Sequence, residues 1–215
     1  MITRSTEEIV ALDRELQPPL YAKRGLALVR GEGVWLWDSD GRRYLDLMSN
    51  YGVNILGHAH PRVTAAIVAQ AGRLLSCHQS FASDVRAAFL ERLLAVAPAG
   101  LTRAFLSNSG TEAVEAALKF AWATTGRRKI VAARRGYHGL LLGALAATAE
   151  KKYREPFLGL LAEAEHIPYG DPEALAAALD ERTAAVILEP VQGESGIYSA
   201  PDDYLRAARE LTRQA

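Results

Sequence analysis

Short apolar runs alternate with stretches of helical periodicity from residue 103 onward, and this alternation constrains the fold more than any other feature. Parallel strands need a crossover between them, and a helix usually supplies it. The pattern therefore predicts an α/β fold with a doubly wound, mostly parallel sheet buried on both faces. The predicted elements are strand 103–107, helix 111–125, strand 129–133, helix 172–181, strand 184–188 and helix 201–213.

In the residues before the predicted sheet, the spacing of apolar residues follows other patterns. Apolar residues at helical spacing, ended by Pro18-Pro19, predict a helical arm over residues 1–20. Strand-like runs on both sides of Asp38-Ser-Asp-Gly41 predict a hairpin. Helices are predicted to begin at Pro61 and after Ser83.

The charge balance bounds the class of partner. Lys plus Arg and Asp plus Glu are 25 each, so no net positive field attracts nucleic acid or an anionic membrane. The longest apolar stretch, Gly139 to Ala149, is too short to cross a bilayer, and the first residues do not resemble a secretory signal. The single Cys77 suits a reducing compartment. We expect a cytoplasmic protein that acts on small molecules.

Ligands of such sheets bind beyond the carboxyl ends of the strands, which directs attention to Ser107-Asn-Ser-Gly-Thr-Glu112. Backbone N–H groups at a helix start favour an anion such as phosphate, and the hydroxyl of Ser109 or Thr111 can add a hydrogen bond. Gly110 lets a ligand approach the backbone. A simple helix cap is an equally good reading of this segment alone.

Gly136-Tyr-His-Gly139 follows the strand that ends at Ala133. Tyr137 is placed to stack on a flat ring, although an aromatic between glycines is more often a packed turn. His138 has packing as its simplest role.

Glu189 ends a fully apolar strand, where a carboxylate is costly without a partner or a task. Gln192 and Glu194 follow on the same loop. Ser195 lacks the spacing of a nucleophile elbow, which argues against a hydrolase. His58 and His60 have no further ligands at metal spacing and are read as a turn before Pro61.

Taken together, these segments resemble the class III (ω-) aminotransferases, which use pyridoxal 5'-phosphate (PLP), and in particular the acetylornithine group and related enzymes of arginine and lysine biosynthesis. The resemblance covers nearly the whole chain and depends on several motifs in order. They are 31–38, Leu56-Gly-His-Ala-His-Pro61, Asn108-Ser-Gly-Thr-Glu-Ala113, Glu115-Ala-Ala-Leu-Lys119, Tyr137-His-Gly139, Pro168-Tyr-Gly-Asp171 and 185–194.

The resemblance implies a PLP fold type I homodimer that transfers an amino group from an acetylornithine-like or carrier-bound lysine-like donor to 2-oxoglutarate. Residues 1–55 would form the arm and β segment of a small domain, and residues 56–215 the first part of the PLP-binding domain. Cofactor contacts would come from Ser109, Gly110, Thr111, Tyr137, His138, Glu189 and Gln192. Tyr51, Leu140 and Glu194 would border the substrate, with Glu194 as a movable partner for an arginine.

No catalytic residue of the family is assigned within this chain, because the resemblance places the Schiff-base lysine and the aspartate that pairs with the pyridine nitrogen after Ala215. Lys129, Lys151 and Lys152 are read as surface residues, and Asp180 as part of a solvated helix end. We therefore expect this chain alone to be inactive. The alternatives are a non-catalytic phosphate-binding or PLP-binding module or subunit, and another PLP fold type I activity.

Three departures from the family pattern concern the site. Val114 stands where Asn is usual, and Ser195 where glycine is usual. Leu140-Leu141 replace a common Arg-Thr pair, whose arginine binds a substrate carboxylate in the acetylornithine group. The resemblance therefore leaves the identity of the amino donor open. A substrate carboxylate would be bound by another arginine, such as Arg134 or Arg135, or by residues after Ala215.

Overall fold

The computed structural model describes residues 4–215, which form two compact units, one ending at Phe89 and the other comprising Leu90–Ala215. Residues 1–3 of the predicted arm lie outside the described residues. The domain boundary expected after residue 55 stays a prediction.

The first unit begins with the helix predicted for the arm. A capping box starts this helix: the Ser5 hydroxyl accepts from Glu8 N at 3.2 Å, and Glu8 Oε2 accepts from Ser5 N at 2.8 Å. The elements of this part are α1 (Thr6–Leu16), β1 (Leu28–Glu32), β2 (Trp35–Asp38), β3 (Arg43–Leu45), α2 (Ser49–Gly52), α3 (Pro61–Ala71) and α4 (Asp84–Ala95), which runs on past Phe89.

The predicted hairpin joins β2 to β3, which pair antiparallel with each other, while β1 pairs with β2. Asp38 holds the turn because its Oδ1 accepts from the backbone N–H groups of Asp40 and Arg42, and its Oδ2 accepts from the Tyr44 hydroxyl at 2.7 Å. These hydrogen bonds lower the pKa of Asp38, the one from Tyr44 most of all.

The two histidines near this hairpin serve local structure. His58 Nε2 lies 2.8 Å from Asp46 Oδ2, and the backbone of His58 pairs with that of Gly33. His60 directly precedes α3, which begins at Pro61 as predicted. Among the described residues there is no group of His, Cys, Asp and Glu that could hold a metal ion.

The second unit is built on a parallel sheet with the strand order β5-β4-β6. Residues of β4 point alternately to its two faces: Val131 packs with Leu175 and Ala208 on one face, and Ile130 packs with Leu118 on the other. Helices therefore cover both faces, which confirms the doubly wound α/β fold. The elements are α5 (Gly110–Thr125), β4 (Lys129–Ala133), α6 (Leu142–Ala147), α7 (Lys151–Arg154), a 3₁₀ helix (Glu155–Leu160), β5 (Ala164–Ile167), α8 (Pro172–Ala178), β6 (Thr183–Ile187), β7 (Val191–Gln192), β8 (Tyr198–Ser199) and α9 (Tyr204–Gln214).

The prediction of a strand at 103–107 is wrong for the described chain. A strand needs a neighbour to satisfy its backbone groups, and within residues 4–215 this segment has no ladder partner. Phe105 is 64% exposed and contacts only the edge of Phe120, at 5.8 Å between ring centroids, among the aromatic rings of the described residues. The strand β5, by contrast, was not predicted.

Lys129 corrects a second expectation, because it is 6% exposed rather than a surface residue. Its ammonium lies 2.7 Å from Glu165 Oε2 and 3.1 Å from Asp180 Oδ2, and donates to the Ala178 carbonyl at 2.7 Å. The Glu165 carboxylate raises the pKa of Lys129 although burial opposes it. Asp180, which follows the end of α8, is therefore paired with Lys129 and is not merely part of a solvated helix end.

We expect Lys129→Met to lower the free energy of unfolding by about 1–3 kcal/mol, because it removes charged hydrogen bonds that hold β4 to β5 and to the end of α8. Arg182 lies 3.7 Å from the Asp180 carboxylate and remains as its ion-pair partner in the variant, which limits the loss of stability. Urea unfolding of both proteins measures the difference. Lys119→Met, on an exposed part of α5, is the matched control and should change stability by less than about 0.5 kcal/mol. Equal effects of the two substitutions would contradict the role of the Lys129 network.

Candidate functional site

The loops that follow β4 and β6 are joined by side-chain hydrogen bonds at the carboxyl edge of the sheet. Tyr137 N donates to Glu189 Oε2 at 2.9 Å, and Gln192 Nε2 donates to the Arg134 carbonyl at 2.9 Å. Glu189 thus has the partner that its position required. Gln192 is 1% exposed, and its Oε1 has no hydrogen-bond partner among residues 4–215.

The turn that carries Tyr137 depends on glycine. A Cβ on Gly136 would lie 3.0 Å from the Ala133 carbonyl oxygen and 3.1 Å from His138 Nε2, closer than most Cβ contacts. The Tyr137 side chain is half-buried and meets the Tyr153 ring edge-on, at 6.3 Å between centroids. Tyr137 therefore has a fixed backbone and an accessible side chain.

The start of α5 has the features of an anion site, with one difference from expectation. Ser109 is the N-cap, and its hydroxyl contacts Glu112, donating to Oε2 at 3.0 Å. Asn108 N also donates to Glu112 Oε2, at 2.8 Å. Hydrogen bonds from Asn108 and Ser109 lower the pKa of Glu112. The Ser109 hydroxyl is thus engaged within the helix start.

The next two amides, those of Gly110 and Thr111, have no acceptor among the described residues, as expected for the first turn of a helix. A Cβ added to Gly110 would meet no atom within 4 Å, so the space above its backbone is open. The helix dipole adds positive potential at this point. A phosphate group fits this arrangement.

A direct contact joins the helix start to the tyrosine turn. Thr111 Oγ1 accepts from Leu141 N at 3.1 Å, and a Cβ on Gly139, whose φ is +123°, would overlap the Thr111 side chain. Only glycine fits there without strain. The structure therefore places the open amides of α5 next to the turn that carries Tyr137.

His138 is buried, at 8% exposure, behind this turn. Its backbone N donates to Thr148 Oγ1 at 3.0 Å, and its Nε2 has no hydrogen-bond partner among residues 4–215. Burial, with a smaller contribution from the nearby His166, lowers the pKa of His138 to about 4. The imidazole is therefore neutral near pH 7.

Tyr137 lies in the wall of an open cavity of about 470 Å³. Glu194, predicted from the sequence, lines the same cavity, as do Lys151 and Lys152. Both lysines are exposed, as expected, yet they face the candidate site rather than a remote surface. The remaining lining residues are Arg135, Gly136, Ala149, Glu150, Tyr153 and Ser195.

Two substrate residues predicted from the sequence, Leu140 and Tyr51, have no described contact with this cavity. Leu140 is about half exposed and does not line the cavity. Tyr51 belongs to the first unit, where it is exposed and has a φ of +58°. Their roles stay predictions.

The sequence interpretation missed Tyr153 and Thr148, and it did not distinguish Arg135 from Arg134. Both arginines follow the strand that ends at Ala133, and the sequence offers no reason to choose between them. Tyr153 follows a lysine pair that indicates a solvated helix. Thr148 supports the turn by accepting from His138 N and donating within the Gly139–Ala144 segment. A polar residue inside the apolar stretch 139–149 was the available signal.

Comparison with known proteins identifies the family. The family model "Aminotransferase class-III" matches residues 19–215. The chain is 46% identical over 207 residues to the LysW-aminoadipate semialdehyde transaminase of Deinococcus radiodurans, covering 95% of this chain and 48% of that protein. It is 45% identical over 191 residues to the acetylornithine aminotransferase of Methanopyrus kandleri, covering 89% and 49%.

A solved structure of the ornithine aminotransferase from Toxoplasma gondii, described with partial occupancy of PLP at its active site, superposes with a TM-score of 0.90. Its sequence is 32% identical, and the match covers 99% of this chain and 52% of that one. The chain belongs to the class III aminotransferases, enzymes of PLP fold type I that use PLP. It spans about half the length of the curated relatives it matches.

The buried His138 predicts a pH dependence of stability. Its pKa is about 4 in the folded protein and 6.5 when exposed, so below pH 6.5 the unfolded chain takes up a proton that the folded chain does not. Stability therefore falls between about pH 6.5 and 4. Between pH 7 and pH 5 the free energy of unfolding of the wild type should fall by about 2 kcal/mol more than that of the His138→Gln variant.

Urea unfolding at both pH values measures this difference. His166, whose pKa burial also lowers, contributes in the same direction to both proteins and cancels in the comparison. The exposed His78 supplies the control, and His78→Gln should follow the wild type. A His138→Gln variant with the full wild-type pH dependence would show that the imidazole is solvated.

Proposed function

We propose that the full-length protein containing this chain is a PLP-dependent aminotransferase that transfers the ω-amino group of an acetylornithine-like or carrier-bound lysine-like donor to 2-oxoglutarate. The observation that carries the proposal is the contact between Gly139 and Thr111, which sets an open helix start beside an aromatic turn. A phosphorylated ring compound is suited to a site that has both features. We further propose that the protein is a homodimer and acts in the cytoplasm, in arginine or lysine biosynthesis.

The phosphate would be held by the backbone amides of Gly110 and Thr111, with the Ser109 backbone beside them. The support is that neither amide has an acceptor among the described residues, that the space around a Cβ at Gly110 is open, and that the helix dipole is positive at this end. The Thr111 hydroxyl accepts from Leu141 N and keeps its own proton for donation. The Ser109 side chain serves the helix instead of the phosphate.

The ring would stack on Tyr137, whose backbone is fixed by Glu189. His138 and Gln192 would support the same turn from the buried side, and each has a polar atom without a hydrogen-bond partner in the described part of the chain. A neutral His138 adds no charge that would compete with the cofactor. When bound, PLP supplies a ring that withdraws electrons from the carbon next to the amine.

The donor would enter beside Glu194, which lines the cavity with Tyr137. Tyr51 and Leu140 are proposed to border the substrate by resemblance. The donor class is supported by the names of two curated relatives, an acetylornithine aminotransferase and a LysW-aminoadipate semialdehyde transaminase, whose semialdehyde is the carbonyl counterpart of an ω-amine. No residue of this chain is proposed as the lysine that carries the cofactor, and we expect this chain alone to be inactive.

Gly110→Ala tests the phosphate site, because the added methyl group meets no protein atom and enters the space proposed for phosphate. We expect PLP to bind this chain about ten- to a hundredfold more weakly, since charge-assisted hydrogen bonds are displaced. Stability should stay the same or rise slightly, because alanine favours a helix.

Equilibrium dialysis against PLP, with inorganic phosphate as competitor, measures the affinity. Gly159→Ala is the matched control, because its Cβ also meets no atom within 4 Å and the residue lies in the 3₁₀ helix. Unchanged PLP binding by Gly110→Ala would place the phosphate elsewhere.

The reaction itself is tested on the full-length protein loaded with PLP. Glutamate formed from 2-oxoglutarate is measured with acetylornithine, ornithine and a simple diamine as donors. We expect glutamate with at least one ω-amino donor. PLP bound tightly with no glutamate from any donor would favour the binding-module alternative or another PLP activity.

A further inference from the structure

We propose that Arg135 binds the carboxylate of the amino donor, the task that Leu140 cannot perform. The inference rests on the proposed function and assigns a specificity residue to it. An apolar side chain at 140 offers no hydrogen-bond donor to a carboxylate. A donor that carries one must therefore be recognised by another cation.

Arg135 lies where such a cation is needed. It lines the cavity of about 470 Å³ together with Tyr137, the proposed ring-stacking residue, and Glu194. Leu140 does not line this cavity. A donor whose amine reaches the ring beside Tyr137 would have its other end within the same walls.

The loop after β6 holds Arg135 in place at two points. Ser195 Oγ donates to the Arg135 carbonyl at 2.7 Å, and the Arg135 guanidinium lies 4.8 Å from the centroid of the Tyr198 ring. The backbone of Arg135 has a φ of +66°, a left-handed conformation that costs an arginine more than a glycine. Ser195, a departure from the family's usual glycine, supplies the contact that fixes it.

The charge of Arg135 is available to a ligand. Within residues 4–215 its guanidinium makes no ion pair and no hydrogen bond to another side chain. The contact with the Tyr198 ring uses no hydrogen bond of the guanidinium, and guanidinium N–H groups match a carboxylate in a bidentate manner.

The other charged residues that line the cavity do not replace Arg135. Glu150 and Glu194 repel a carboxylate, which makes a fixed cation more necessary. Lys151 and Lys152 are point charges on flexible stems, and the Lys152 ammonium lies over the Tyr153 ring at 4.8 Å. Arg135 is the planar, pre-positioned cation among these side chains.

The test uses the full-length protein with PLP and two donors that differ only by the carboxylate, acetylornithine and N-acetylputrescine. We expect Arg135→Ala and Arg135→Gln to lower kcat/KM for acetylornithine by about ten- to a hundredfold, mainly through KM. For N-acetylputrescine the change should stay within about twofold. Arg135→Lys should recover part of the loss.

Arg134→Ala is the matched control, because its exposed side chain is adjacent but does not line the cavity, and only its backbone contacts Gln192. For this variant, kcat/KM for both donors should stay within about twofold of the wild-type values. Thermal unfolding of the Arg135 variants checks that the fold is kept, and Arg135→Gln retains a long side chain for this purpose.

Several outcomes overturn the inference while leaving the proposed function intact. They are an equal loss on both donors, no loss on either, a wild type without preference for the carboxylate, or the selective loss in Lys151→Ala or Lys152→Ala instead. A wild type that forms no glutamate from any donor contradicts the proposed function, and the inference falls with it.

Discussion

The hydrogen bond from the Tyr137 amide to the Glu189 carboxylate is the contact on which the candidate site depends. It joins two loops that are about fifty residues apart in sequence and meet only because β4 and β6 are neighbours in the sheet. A carboxylate at the end of an apolar strand would be costly alone, and the amide offsets that cost. The turn so fixed then positions His138 and Gly139.

Glycine determines how closely the parts of this site approach one another. Gly139 allows the turn to touch Thr111, and Gly136 leaves room for the His138 ring and the Ala133 carbonyl. Gly110 leaves its backbone open toward a ligand. The same residue type thus closes two protein contacts and keeps one surface clear, and only the surroundings distinguish these uses.

The resemblance to class III aminotransferases and the geometry support the same ligand from independent directions. The motifs indicate PLP, while the free amides and the aromatic turn suit any phosphorylated ring. The structure shows what accompanies the two departures from the family pattern at Leu140 and Ser195. Ser195 contacts Arg135, and Leu140 lies outside the cavity.

The sequence by itself determined the elements whose period is local: helix α5 with its Ser109 cap, strand β4, the hairpin at Asp38 and the doubly wound class. It also identified the residues at the strand ends, because parallel strands share one carboxyl edge. The tertiary structure decided what local period cannot encode. Lys129 is buried because Glu165 and Asp180 converge on it, and 103–107 is not a strand because no described segment pairs with it. Arg135 joins the site only because a distant loop supplies Ser195 and Tyr198, and such pairings depend on the packing of the whole unit.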